Sequence, residues 1–139
     1  MSLDLHFFKK GVDYNQIRRD IDDLTNKWRD IKDEIERLED NYEDAKLASH
    51  NVTHNLNKMA EAVGLDKVLW NPEQIGITSA FQMIAPLETA IKELDANPEK
   101  YKAFNPSNGW GNYDIFVSFC RSVLQTCRKN PDAVIEAAD

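Results

Sequence analysis

Nowhere does the sequence run to the ~18 consecutive apolar residues that a membrane-spanning helix needs, which excludes crossing a bilayer as a helix. Its start, Met1-Ser2-Leu3-Asp4-Leu5-His6-Phe7-Phe8, carries an acid early and a lysine pair soon after, so no secretory signal is expected. Basic residues are in deficit, with 17 Lys and Arg against 24 Asp and Glu and a net charge of −7. That balance argues against general affinity for nucleic acid or for anionic membranes, both of which need clustered Lys and Arg. It permits a basic protein surface as partner. Acids and bases interleave along the chain, which argues against an acidic mimic of DNA.

Cysteine is scarce. Cys120 and Cys127 fall in one expected helix, where about 1.5 Å of rise per residue separates them by roughly 10 Å, too far to bridge each other. They read as reduced core residues of a cytoplasmic protein. Catalytic signatures are lacking too: there is no elbow-type serine, neither cysteine neighbours a histidine, and the carboxylates fall on expected helix surfaces. No catalytic residue, metal or cofactor is expected. At 139 residues, with 29% charged and 9% aromatic, the composition is that of one globular domain.

What is abundant is heptad periodicity. Ile17, Ile21, Leu24, Trp28, Ile31, Ile35, Leu38, Tyr42 and Ala45 recur at steps of four and three, with charged or polar residues between them. Such a repeat lays one narrow apolar stripe along a helix, and that stripe needs a second helix to cover it. The spacing predicts a coiled-coil-like helix over 13–49, N-capped by Asp13 with Gln16 at the capping-box position. A second amphipathic helix is expected through Val52, Leu56, Met59, Ala60 and Val63, stopped by Gly64. Running straight through both would give roughly 75 Å of helix, so a bend near Ser49 is favoured.

Further along, Leu65 to Trp70 reads as a short helical turn, and Thr78 or Ser79 caps a helix with Pro86 inside it. Asn97-Pro98 opens a short helix, and 105–111 is a loop rich in turn formers. The last helix spans about Asn112 to Lys129. Alternation at Leu3 to Phe8 and the run Ala133 to Ala137 predict two strands, each too short to stand alone and so expected to pair. The expected fold is mainly α: a long coiled-coil-like helix plus a compact helical part over 50–139, joined by strand 3–8, with a small two-stranded terminal β-ribbon, all one domain over 1–139.

Two polar clusters stand out. In the first, Ser49 to Asn55, His50 and His54 are four apart, a spacing that lets two imidazoles share a metal on a helix face, with His6 as a conceivable third ligand. No zincin pattern or cysteine pair accompanies them, and a solvated helix face is the plainer account. The second cluster is the loop Asn105 to Tyr113, where Gly109 and Gly111 flank Trp110; that ring either covers a ligand or plugs the core.

The segments Asn51-Val52-Thr53-His54-Asn55-Leu56-Asn57-Lys58-Met59-Ala60, Leu69-Trp70-Asn71-Pro72-Glu73, Ile75-Gly76-Ile77-Thr78, Asn105-Pro106-Ser107-Asn108-Gly109-Trp110-Gly111-Asn112-Tyr113 and Asn130-Pro131-Asp132-Ala133 resemble those of a group of small uncharacterised bacterial and phage-encoded proteins. The likeness covers about two thirds of the chain. It implies no activity; phage origin, which it does imply, would suit a host-directed role.

Two functional expectations follow from the residues. The first is an interaction protein whose seam packs on a homodimer mate or on another helical protein. The alternative is a ligand-binding domain, conceivably an enzyme, in which Asn51, Thr53, His54 and Asn55 face Trp110 and Tyr113 across one concave pocket. Against the first stands a monomer in which the seam folds on the helix near Val52 or on the last helix.

Overall fold

The computed structural model of the chain describes residues 1–27 and 32–138. Three strands, β1 (Ser2–Phe8), β2 (Lys46–Thr53) and β3 (Val134–Ala138), form one antiparallel sheet in the order β2-β1-β3. Along β1 the two-residue period places Leu3, Leu5 and Phe7 on the buried face and leaves Asp4 and His6 half-buried on the other. Helices α1 (Tyr14–Asn26) and α2 (Lys32–Ala45) stand between β1 and β2. After β2 come a 3-10 turn (His54–Leu56), α3 (Asn57–Ala62), α4 (Asp66–Trp70) and a second 3-10 turn (Pro72–Ile75). The chain finishes with α5 (Ala80–Ala96), α6 (Pro98–Lys102), α7 (Tyr113–Lys129) and β3.

The core lies between the inner face of the sheet and the α5–α7 layer. Phe116, Cys120, Val123 and Cys127 recur along one face of α7, and they join Leu3, Leu5 and Phe7 from the sheet and Met83, Leu87 and Leu94 from α5 in one cluster. Local signals agree with this packing. Asn112 accepts the Ile115 N–H at 2.9 Å at the start of α7, and Gln82 Oε1 accepts the Ser79 N–H at 3.0 Å at the start of α5.

The long helix expected over 13–49 is not present. Its described residues form α1, α2 and the first part of β2, and the longest helices among the described residues, α5 and α7, have 17 residues. The two halves of the seam face each other and cover each other only in part: α1 runs out from the sheet and α2 runs back, so that Arg18 reaches Tyr42, 24 residues away, donating to its hydroxyl at 2.9 Å. A heptad stripe asks for a facing helix, and the second half of the same stripe supplies it. Trp28 and Ile31 of the expected seam lie outside the described residues.

Two further corrections follow. The terminal ribbon is the β1–β3 part of a three-stranded sheet, because Lys46–Thr53 is a strand rather than helix or bend. Its β-branched and Asn/His content disfavours helix. Its alternation sets Ala48, His50 and Val52 inward against exposed Ser49 and Asn51, and at its start Leu47 is the extra residue of a bulge opposite Phe7 and Phe8. Consequently the helix expected from Val52 begins only at Asn57.

The hairpin is rooted on the outer face of the sheet. Phe8 is fully buried there, its ring stacked on Tyr14 at 4.6 Å and tilted against Tyr42 at 5.2 Å. Tyr14 donates its hydroxyl to the Ile135 carbonyl at 3.3 Å and Tyr42 to Glu136 Oε1 at 3.0 Å, while Arg18 ion-pairs with the same carboxylate.

Candidate functional site

The two polar clusters do meet, but through other side chains than expected. Gly111 brings them together: its φ of +92° suits glycine, and a Cβ there would lie 2.8 Å from Thr53 Cγ2 and 3.0 Å from Leu56 Cγ. The loop before α7 therefore rests directly on the 3-10 turn that follows β2. Beside this contact opens a cleft of about 580 Å³, walled on one side by His54, Asn55, Asn57 and Lys58 and on the other by residues 103–108.

Of the expected ligand-facing residues, only His54 and Asn55 line that cleft. Asn51 points to the outer face of the sheet, where its amide donates to Ser2 Oγ at 3.0 Å and to Asp4. Thr53 caps the 3-10 turn, its Oγ1 accepting the Asn55 N–H at 3.4 Å and the Asn55 Nδ2 at 3.2 Å. Trp110 is 69% exposed and plugs nothing. Tyr113 is instead a core residue whose hydroxyl donates to the Leu94 carbonyl at 2.6 Å, and burial pushes its pKa up. Asn57, Lys58, Ala103 and Phe104 line the cleft from outside both flagged clusters, and their short spacing from those clusters is the signal the sequence carries for them.

The three histidines diverge. His6 Nδ1 lies 2.7 Å from Ser49 Oγ, and His50 Nε2 lies 2.7 Å from the hydroxyl of buried Thr126. His54 Nδ1 accepts the Trp70 indole N–H at 2.9 Å, so it is unprotonated there. With His50 on a strand and His54 on a 3-10 turn, the four-residue spacing does not place both rings on one helix face. Among the described residues no group of three His, Cys, Asp or Glu is arranged to hold a metal. Burial lowers the pKa of His50, and it raises Cys127 to about 12 and Cys120 further, so neither thiol is a ready nucleophile.

The hairpin is the second feature. Helix α1 buries no residue and α2 buries only Ala45, while Ile17, Ile21, Leu24, Ile35, Leu38 and Tyr42 all stay half-buried. An open groove of about 390 Å³ runs past Thr25, Lys32 and Ile35 and is edged by Glu36 and Glu39. Charge is concentrated here: α2 carries seven acidic side chains against Lys32 and Arg37. Among the described residues no helix is long and apolar enough to cross a membrane. No known family model, curated protein or solved structure matches the chain.

Proposed function

We propose that the protein is an interaction module whose α1–α2 hairpin docks a basic, amphipathic helix of another protein. One observation carries this: a hairpin that contributes almost nothing to the core nevertheless keeps six apolar residues half-exposed along its seam. A third helix laid in the groove beside Ile35 would cover the part of that seam which opens there, and burying apolar surface in this way is how helix-in-groove recognition gains its affinity. The acids of α2 select the partner's sign, because opposite charges on the rim speed and orient encounter. A second copy of this chain would set α2 against its own like charges, so another helical protein suits the groove better than a homodimer mate.

The test is a titration with a synthetic amphipathic helix of about three heptads, leucine on one face and lysine on the other, followed by calorimetry. Binding is expected in the micromolar range, weakening as salt rises and lost in Glu36→Lys/Glu39→Lys. The control Glu61→Lys/Glu99→Lys alters exposed acids on α3 and α6, away from the hairpin. Equal loss in that control, or no binding by the unaltered protein, would refute the proposal.

A further inference from the structure

We infer that the cleft between the 3-10 turn after β2 and the loop before α7 binds a small molecule carrying a carboxylate or phosphate on an apolar body. Its chemistry is one-sided. In a chain with 24 acidic residues, none lines this cleft, whereas Lys58 does. Lys58 forms no ion pair among the described residues, and it projects from the exposed side of α3.

The loop's amides add donors with a fixed sense. Asn105 Oδ1 accepts the Tyr113 N–H at 2.7 Å, and Asn108 Oδ1 accepts the Trp110 N–H at 2.9 Å. With each carbonyl oxygen turned to a backbone N–H, neither NH2 group has a hydrogen-bond partner among the described residues, so each is open to a visitor. The Asn57 amide and the Ser107 hydroxyl, both lining the cleft, make no side-chain hydrogen bond to any described residue. Ammonium, amide N–H and hydroxyl together form a donor set suited to an oxyanion, and charge-assisted bonds of this type are the strong ones.

The wall formed by residues 103–108 also carries apolar side chains among its polar ones. Phe104 keeps more than a third of its surface exposed at the cleft, beside Pro106. Sites of this kind gain affinity from apolar walls and orientation from a few placed polar groups. An oxyanion attached to a ring or short chain would meet both halves. A bare inorganic anion would meet one.

The experiment is a titration followed by amide NMR, using benzoate, phenyl phosphate and inorganic phosphate as probes and benzyl alcohol as the uncharged control. Resonances of Asn57, Lys58, Ser107 and Asn108 are expected to shift with benzoate or phenyl phosphate, each binding at least roughly tenfold tighter than benzyl alcohol. Whichever of the two aromatic anions binds more tightly identifies the anionic group preferred. Lys58→Gln, at an exposed position, should weaken binding about tenfold or more, and Lys67→Gln, away from the cleft, should not. Benzyl alcohol binding as well as the anions, Lys67→Gln acting like Lys58→Gln, or shifts confined to residues elsewhere would each overturn the assignment, as would no shift at all.

Discussion

Arg18 of α1 ion-pairs with Glu136 of β3, a carboxylate only 4% exposed, and Tyr42 of α2 donates to the same group. One buried acid on an edge strand thus ties down both helices of a hairpin that has almost no core contacts of its own.

Breaking that tie should be felt in the hairpin first. Arg18→Ala leaves the Glu136 charge buried with only the Tyr42 hydroxyl against it. Complete loss of a partner from a fully buried pair costs ~3–5 kcal/mol, and the half-exposed guanidinium here reduces the effect to about 1–3 kcal/mol. Chemical denaturation gives the magnitude, and hydrogen exchange should show α1 and α2 losing protection before α5 and α7. Uniform loss of protection would contradict the described anchoring.

Gly111→Ala tests the contact that joins the two polar clusters. The substitution meets both an unfavourable φ of +92° and the Thr53 methyl at 2.8 Å, and should destabilise by about 2–3 kcal/mol. Gly109→Ala shares the positive φ, +76°, but has open space around the added methyl, so about 1 kcal/mol is expected. Thermal denaturation of the pair measures the difference, most of which belongs to the close approach of residue 111 to Thr53 and Leu56.

His50 makes stability pH-dependent. Burial holds its folded pKa below the ordinary value of 6.5. The unfolded chain therefore binds the proton first, so this contribution is whole above about pH 6.5 and is lost as pH falls towards the folded pKa. Unfolding free energy followed from pH 8 to pH 5 should decline by at most ~1.4 kcal/mol per pH unit for this one proton. His50→Gln should flatten part of that decline. His6, lowered by burial and by Lys46, contributes in the same direction.

Much of the core was legible in the residues because its signals are local. The start of α7 near Asn112, the cap at Ser79 and the alternation of β1 each require only neighbours within a few positions. The hairpin was not, for a physical reason. A heptad stripe from Ile17 to Tyr42 reads identically whether it faces another chain or folds back on itself, since periodicity fixes the face and not the partner. Strand β2 was hidden for a different one: Ala48, His50 and Val52 make a weak inward face, and residues poor for helix suggested a bend. The site was half legible. Asn55 and the loop at Asn105 to Asn108 do share a cleft, but the side chains of Trp110 and Tyr113 diverge from it, the first exposed to solvent and the second buried against Leu94 of α5.

The fold-back of the heptad seam is tested most directly by a distance. Asn15 and Asp44 are both exposed and both at the base of the hairpin, one at the start of α1 and one at the end of α2. Spin labels on Asn15→Cys/Asp44→Cys, diluted with unlabelled protein so that only distances within one chain are read, should lie about 10–25 Å apart, given packed helices and two label tethers. A continuous helix across the same residues would hold them roughly 45 Å apart. The short distance is the result expected, and the long one would contradict the hairpin and the docking groove together.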